Sequence, residues 1–253
     1  MAEADLSPPA EERASILVWD LPVRLFHVAF AASLLGAFTI GQLADDDSAV
    51  FPVHMLLGGT LVGMVLLRIL WGVVGSRYAR FRSFVFGPGE VLAYLRGALT
   101  GEGKRYVGHN PGASLAIFAL LALTLGLGVT GALMAQGGEL MEELHELLAY
   151  SAVAVVGIHV AGVVWHSLRF RENLPLSMLH GRKLGAPEQG LQSAHPVAAV
   201  LFVVLTAAWA GALARGYDAS TNQVTLPGVG LTLQLGEGEH EHPRSPYHDD
   251  DDD

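Results

Sequence analysis

The chain has 253 residues, 51% of them hydrophobic and only 16% charged, with a positive mean hydropathy, which points to a polytopic membrane protein and away from a soluble domain. Its formal net charge of -10 is not one uniform field, because acidic and basic residues are segregated into different loops. There is no cysteine, which excludes a c-type haem attachment sequence, a thiolate-bound iron–sulfur cluster, disulfides and thiol catalysis.

In chain order, residues 1–14 (MAEADLSPPAEERA) read as a polar, proline-containing lead-in that suggests no chemistry. Five apolar runs of about 20 residues follow, each long enough to span a bilayer: Leu25 to Leu43, Val53 to Val74, Gly112 to Ala135, Leu147 to Leu168 and Pro196 to Ala214. The long basic loop between the second and third runs contains GPGEVLAYLRGAL, which reads as a short amphipathic helix after Pro88. A second basic linker follows the fourth run. Beyond the fifth, QVTLPGVGLTLQL reads as a small hairpin before the acidic end GEGEHEHPRSPYHDDDDD. That end suits attraction of a basic partner, loose metal capture or simple solvation, and no site is assigned there.

With a cytoplasmic N-terminus, every Lys and Arg except Arg215 and Arg244 falls inside or at the inner end of a span, as the positive-inside rule requires. The first apolar run lacks a cleavage signal and reads as a retained span. The expected location is a bacterial inner membrane, multi-pass, with the C-terminus periplasmic.

Within this topology the histidines sort by depth. His145 and His159 lie fourteen residues apart in one run, so both leave nearly the same helix face about 21 Å apart along the axis. His54 opens the second run near the outer surface, level with His145. His27 begins the first run near the inner surface, level with His159. Two imidazoles facing each other across a helix bundle, with no cysteine available, suit the axial positions of a non-covalent b-type haem. The two pairs imply two such haems, with both axial positions closed and one-electron transfer as the chemistry. A tetrahedral zinc site would need its ligands at one depth. His166 shares the face of His159 and is an alternative inner ligand or a propionate contact.

His109 in GHNP precedes the third run, where Asn110 reads as an N-cap and Pro111 as a first-turn proline. Its functional reading is a hydrogen-bonding group at an inner quinone site. Gly58, Gly59 and Gly63 in the second run, with Gly126, Gly128 and Gly131 in the third, are read as allowing close helix packing around a large planar cofactor. His180 and His195 read as interfacial linker residues.

These pieces, VWDLPVRLFH, the histidine opening the second run, RILWGVVGSRYARF, GHNP and HELLA…GIHVAGVVWHS…RENL, resemble the bacterial cytochrome b561 and nickel–iron hydrogenase b-type cytochrome subunit family over about residues 15–185. The resemblance implies an all-α integral membrane fold: a four-helix di-haem bundle with His27, His54, His145 and His159 as axial ligands of the haem irons. The expected organisation is a lead-in over 1–14, the di-haem domain over 15–185, a linker and fifth transmembrane helix over 186–215, and an acidic external tail over 216–253. The resemblance further implies electron exchange between the quinone pool and an external c-type cytochrome or hydrogenase subunit, with Arg24, His109 and Asn110 as quinone or propionate contacts. An electron-transfer subunit is expected rather than a stand-alone oxidoreductase. The alternatives are a superoxide:quinone oxidoreductase of the same fold, disfavoured by the acidic outer loops, and a non-redox membrane scaffold or transporter, which predicts no haem. Membrane lipid is an expected partner and nucleic acid is not; association with a second copy is left open.

Overall fold

A computed structural model of the chain describes residues 14–45, 48–101, 104–221, 223–225 and 232–234. The lead-in before Ala14 and the His/Asp-rich end beyond Gln234 lie outside the described residues. Six helices carry the fold: α1 (Leu21–Leu43), α2 (Phe51–Val74), α3 (Pro88–Thr100), α4 (Pro111–Phe170), α5 (Leu174–His180) and α6 (Pro196–Gly216). Each has a proline in its first turn, where the missing N–H has no intrahelical partner to lose. Asp20 and Asn110 finish the starts of α1 and α4 by accepting from the backbone N–H of Val23 at 2.9 Å and of Ala113 at 2.8 Å.

The predicted third and fourth spans are two helices that meet at a sharp break at Gly138 and are labelled together as α4. That residue takes φ 54 and ψ -149, a conformation open in practice to glycine alone. The arms, Pro111–Met134 and Gly138–Phe170, bring the number of segments long and apolar enough to cross a membrane to five. Glu139, Glu142, Glu143 and Glu146 are helical in the first turns of the second arm. Glu139 and Glu142, nearest its start, meet the positive end of the helix dipole.

Two small sheets lie at opposite ends of the bundle. At one end, β1 (Ala14–Leu17) pairs antiparallel with β2 (Arg182–Gly185), and Ile16, Val18, Trp19 and Tyr78 form a buried cluster beneath them. We call this the cap end; α1, α4 and α6 start there. At the other, β3 (Tyr217–Asp218), β4 (Gln223–Thr225) and β5 (Thr232–Gln234) form a three-stranded antiparallel sheet, so the expected hairpin is present. We call it the hairpin end.

The central core joins Phe30 and Ala37 of α1, Leu61, Met64 and Val65 of α2, Leu121 of the first α4 arm and Phe202 of α6. Thus α6, expected beside a four-helix core, is part of that core. The glycines explain its seat: a Cβ at Gly63 would lie 2.5 Å from Trp209, and one at Gly59 would lie 2.9 Å from Leu213. Trp209 also donates its indole N–H to the Gly59 carbonyl at 2.9 Å. Gly59 and Gly63 therefore admit a fifth helix rather than a cofactor, and Gly128 likewise admits Val62 of α2. The second arm of α4 is covered least: 6% of its apolar window is buried, against 28% for α2.

Candidate functional site

The two histidine pairs predicted from depth take different forms. At the hairpin end the rings of His54, in the first turn of α2, and His145, in the second arm of α4, have centroids 6.1 Å apart at an interplanar angle of 62°. That separation accommodates one metal atom bonded at about 2 Å to a nitrogen of each ring. The Nδ1–H of His54 donates to the Ala37 carbonyl at 2.7 Å. His145 Nδ1 lies 2.9 Å from the hydroxyl oxygen of Thr130, whose own proton is directed to the Gly126 carbonyl at 3.0 Å. Both imidazoles thus carry their proton on Nδ1, which leaves each Nε2 lone pair free for a metal.

Glycines make room for this arrangement. A Cβ at Gly41 would lie 3.0 Å from the His54 ring, and one at Gly131 would lie 3.4 Å from His145. Of the glycines read from sequence as cofactor neighbours, Gly131 is the one beside a histidine. Thr130 and Gly41 were not legible as site residues, because each acts on a histidine brought to it only by helix pairing.

At the cap end the predicted second pair is His27 of α1 and His159 of the second α4 arm; the charge of His159 reaches His27, and no ring contact of the His54–His145 kind joins them among the described residues. His166 is not turned to that pair. It is buried with its Nε2 3.8 Å from Glu172 and its ring 4.5 Å from Phe170. Glu172 gathers Arg105 at 3.2 Å and Lys183 at 3.9 Å. Lys183, held also by the Tyr106 carbonyl at 3.0 Å, is pushed down to about 8 by burial, against the opposing attraction of Glu172.

His109 lies between the rings of Trp19 and Phe84, at centroid distances of 4.7 and 4.4 Å. Burial, with the nearby charge of Arg68 next in size and those of Lys183, His159 and His27 after it, pushes its imidazole down to about 3, so the ring is neutral at physiological pH. Asn110 has its Oδ1 engaged in capping α4. Arg24 donates to the carbonyls of Met178 and Leu179 at the end of α5, fastening that helix to α1. His180 accepts from the Arg182 N–H at 2.9 Å, and the His195 ring rests on Trp71 at 5.5 Å.

Among the described residues no cluster of three or more His, Asp or Glu side chains is arranged to hold a metal ion. Two nitrogen donors with preset tautomers fit a b-type haem; they do not fit a four-ligand zinc centre.

Residues 18–181 match the family model for prokaryotic cytochrome b561. Among curated proteins, a probable Ni/Fe-hydrogenase B-type cytochrome subunit of Rhizobium leguminosarum bv. viciae is 26% identical over 220 residues, covering 69% of this chain and 91% of that protein. Its namesake from Rhodobacter capsulatus is 25% identical over 220 residues, covering 68% and 82%. The one from Cupriavidus necator is 28% identical over 174 residues, covering 60% and 71%. No solved structure matches the chain significantly.

Proposed function

This chain belongs to the prokaryotic cytochrome b561 family, and on that premise we propose that it holds two b-type haems, one at each histidine pair, and conducts electrons between a quinone and an external redox partner. The observation that carries the reading is the His54–His145 pair, with rings 6.1 Å apart and both Nδ1 atoms bonded to acceptors behind them. His27 and His159 hold the second haem. When bound, the haems would supply reversible one-electron iron chemistry. The protein's part is to present unprotonated Nε2 atoms, to hold the rings in place, and to keep water from the cap-end site with Trp19, Phe84 and the β1–β2 cap.

The quinone belongs at the cap end, where His109 stands beside the His27–His159 pair as a neutral hydrogen-bonding ring. Asn110 positions that ring by capping the helix that follows it, and Arg24 positions the cap by holding α5. The cap end carries the basic residues of the loops, which supports a cytoplasmic cap end, a periplasmic hairpin end and an inner-membrane location. A partner of the kind named for the Rhizobium and Rhodobacter relatives, a Ni/Fe hydrogenase, or a c-type cytochrome in its place, then meets the hairpin end.

A dithionite-reduced minus oxidised absorption spectrum of the purified full chain, with a pyridine haemochrome assay, tests this directly. Two b-type haems per chain are expected. None overturns the reading, and one removes the second site.

A further inference from the structure

Arg68 lies in the last two turns of α2 and is only 4% exposed. Its guanidinium keeps its charge under all physiological conditions, and a buried charge is tolerated when an acceptor answers it. No ion pair or hydrogen bond to Arg68 is found among the described residues. Its Nη1 is buried without a partner, and its group lies over the Phe81 ring at 5.1 Å. Asp20 is the carboxylate whose charge reaches it. That carboxylate is already engaged, accepting from the Val23 N–H at 2.9 Å and from the Trp71 indole N–H at 3.0 Å.

His109 repeats the pattern from a different element. Its Nδ1 is also buried without a partner, and its ring is held between Trp19 and Phe84. Phe84 packs on Phe81 at 5.8 Å, the same ring that Arg68 covers, so one aromatic cluster carries both unpartnered nitrogens. The fields of Arg68, His27 and His159 all reach His109, which puts these donors at the level of the cap-end histidine pair.

We propose that Arg68 Nη1 and His109 Nδ1 together form a seat for a negatively charged or charge-accumulating oxygen of a ligand bound at the cap end. Two ligands carry that chemistry there: a porphyrin, through a propionate carboxylate, and a quinone, through the carbonyl oxygen that gains charge as it is reduced. The inference rests on the proposed function, since it places the seat beside the second haem.

The test uses full-length protein in detergent or nanodiscs. Haem content of the wild type, measured first, tests the parent reading separately. Arg68→Gln and His109→Phe then remove one donor each, the phenylalanine keeping a ring between Trp19 and Phe84; Arg68→Lys keeps the charge without the fork. The readouts are potentiometric titration of both haems and the KM for decylubiquinol as electron donor. A propionate in the seat lowers one haem's midpoint in both Arg68→Gln and His109→Phe with KM unchanged. A quinone oxygen in the seat raises KM at least tenfold in both, with midpoints unchanged. His109→Phe is neutral for neutral, so its effect separates a hydrogen-bonding seat from a distant charge. If His109→Phe leaves both readouts at wild-type values, the seat is overturned, even where Arg68→Gln fails to assemble.

Discussion

At the hairpin end, His54 and His145 stand 6.1 Å apart with both Nδ1 atoms bonded to the helices behind them. At the cap end, His27 lies within reach of the charge of His159, and buried nitrogens on Arg68 and His109 have no partner among the described residues. A site whose polar groups are all answered internally needs only its permanent ligand; a site with unanswered donors needs something more. On the proposed function, the hairpin-end site serves as a relay and the cap-end site receives a further ligand.

The largest expected effect comes from His145→Ala, which deletes a proposed haem ligand at one end and leaves His27 and His159 at the other untouched. It should halve the haem-to-protein ratio and retain one b-type spectrum. Loss of both haems, with helical circular dichroism preserved, would show that the two ends do not assemble independently. Next comes Thr130→Val, which keeps the side chain's volume and removes the acceptor that orients His145. Loss of such a supporting hydrogen bond costs about 10–100-fold in metal-site affinity. Haem release from the variant should be faster, one haem only, as followed by transfer to apomyoglobin.

At the cap end, Asp20→Ala removes both an N-cap and the acceptor of the Trp71 indole. A cost of about 1–2 kcal/mol is expected, read as a lower thermal midpoint in detergent. An unchanged midpoint would mean that the α1 start is held by β1 and Pro22 alone.

The smallest effect is a pH slope at the cap end. Folding lowers Lys183 from 10.5 to about 8, so between these values the unfolded chain binds the proton that the folded chain has released. Stability therefore rises with pH above about 8, by about 1–2 kcal/mol up to pH 10. Burial pushes the phenols of Tyr78, Tyr94 and Tyr106 up from 10.0, which reverses the slope at higher pH. Lys183→Met should flatten the rise in thermal midpoint between pH 8 and 10; an undiminished slope would assign it to another group.

Much of this was legible in local sequence. Spans follow from unbroken apolar runs, the α4 start from Asn-Pro, α3 from the proline before an amphipathic stretch, and the β4–β5 hairpin from alternation around Pro-Gly. The depth of each histidine followed from its place in a run, and the meeting of His54 with His145 from depth. Other features depend on residues far apart in sequence. Nothing near Ala14–Leu17 announces its pairing with Arg182–Gly185, and nothing near Gly59 or Gly63 names Trp209 and Leu213 as what fills them. Arg24 looked available for a ligand until the end of α5 was found on it. His166, on the same helix face as His159, is taken by Glu172 from the following loop.

Sequence alone determined that the chain crosses a membrane, where each span lies and which imidazoles share a level, because hydrocarbon thickness and the 1.5 Å helical rise convert residue number directly into depth. Tertiary structure decided which nitrogen of each imidazole is left free at the hairpin end, that α6 is a core helix, and that Arg68 and His109 remain unanswered at the cap end. Those outcomes depend on rotation and neighbours around each helix, which residue number along a single span does not encode.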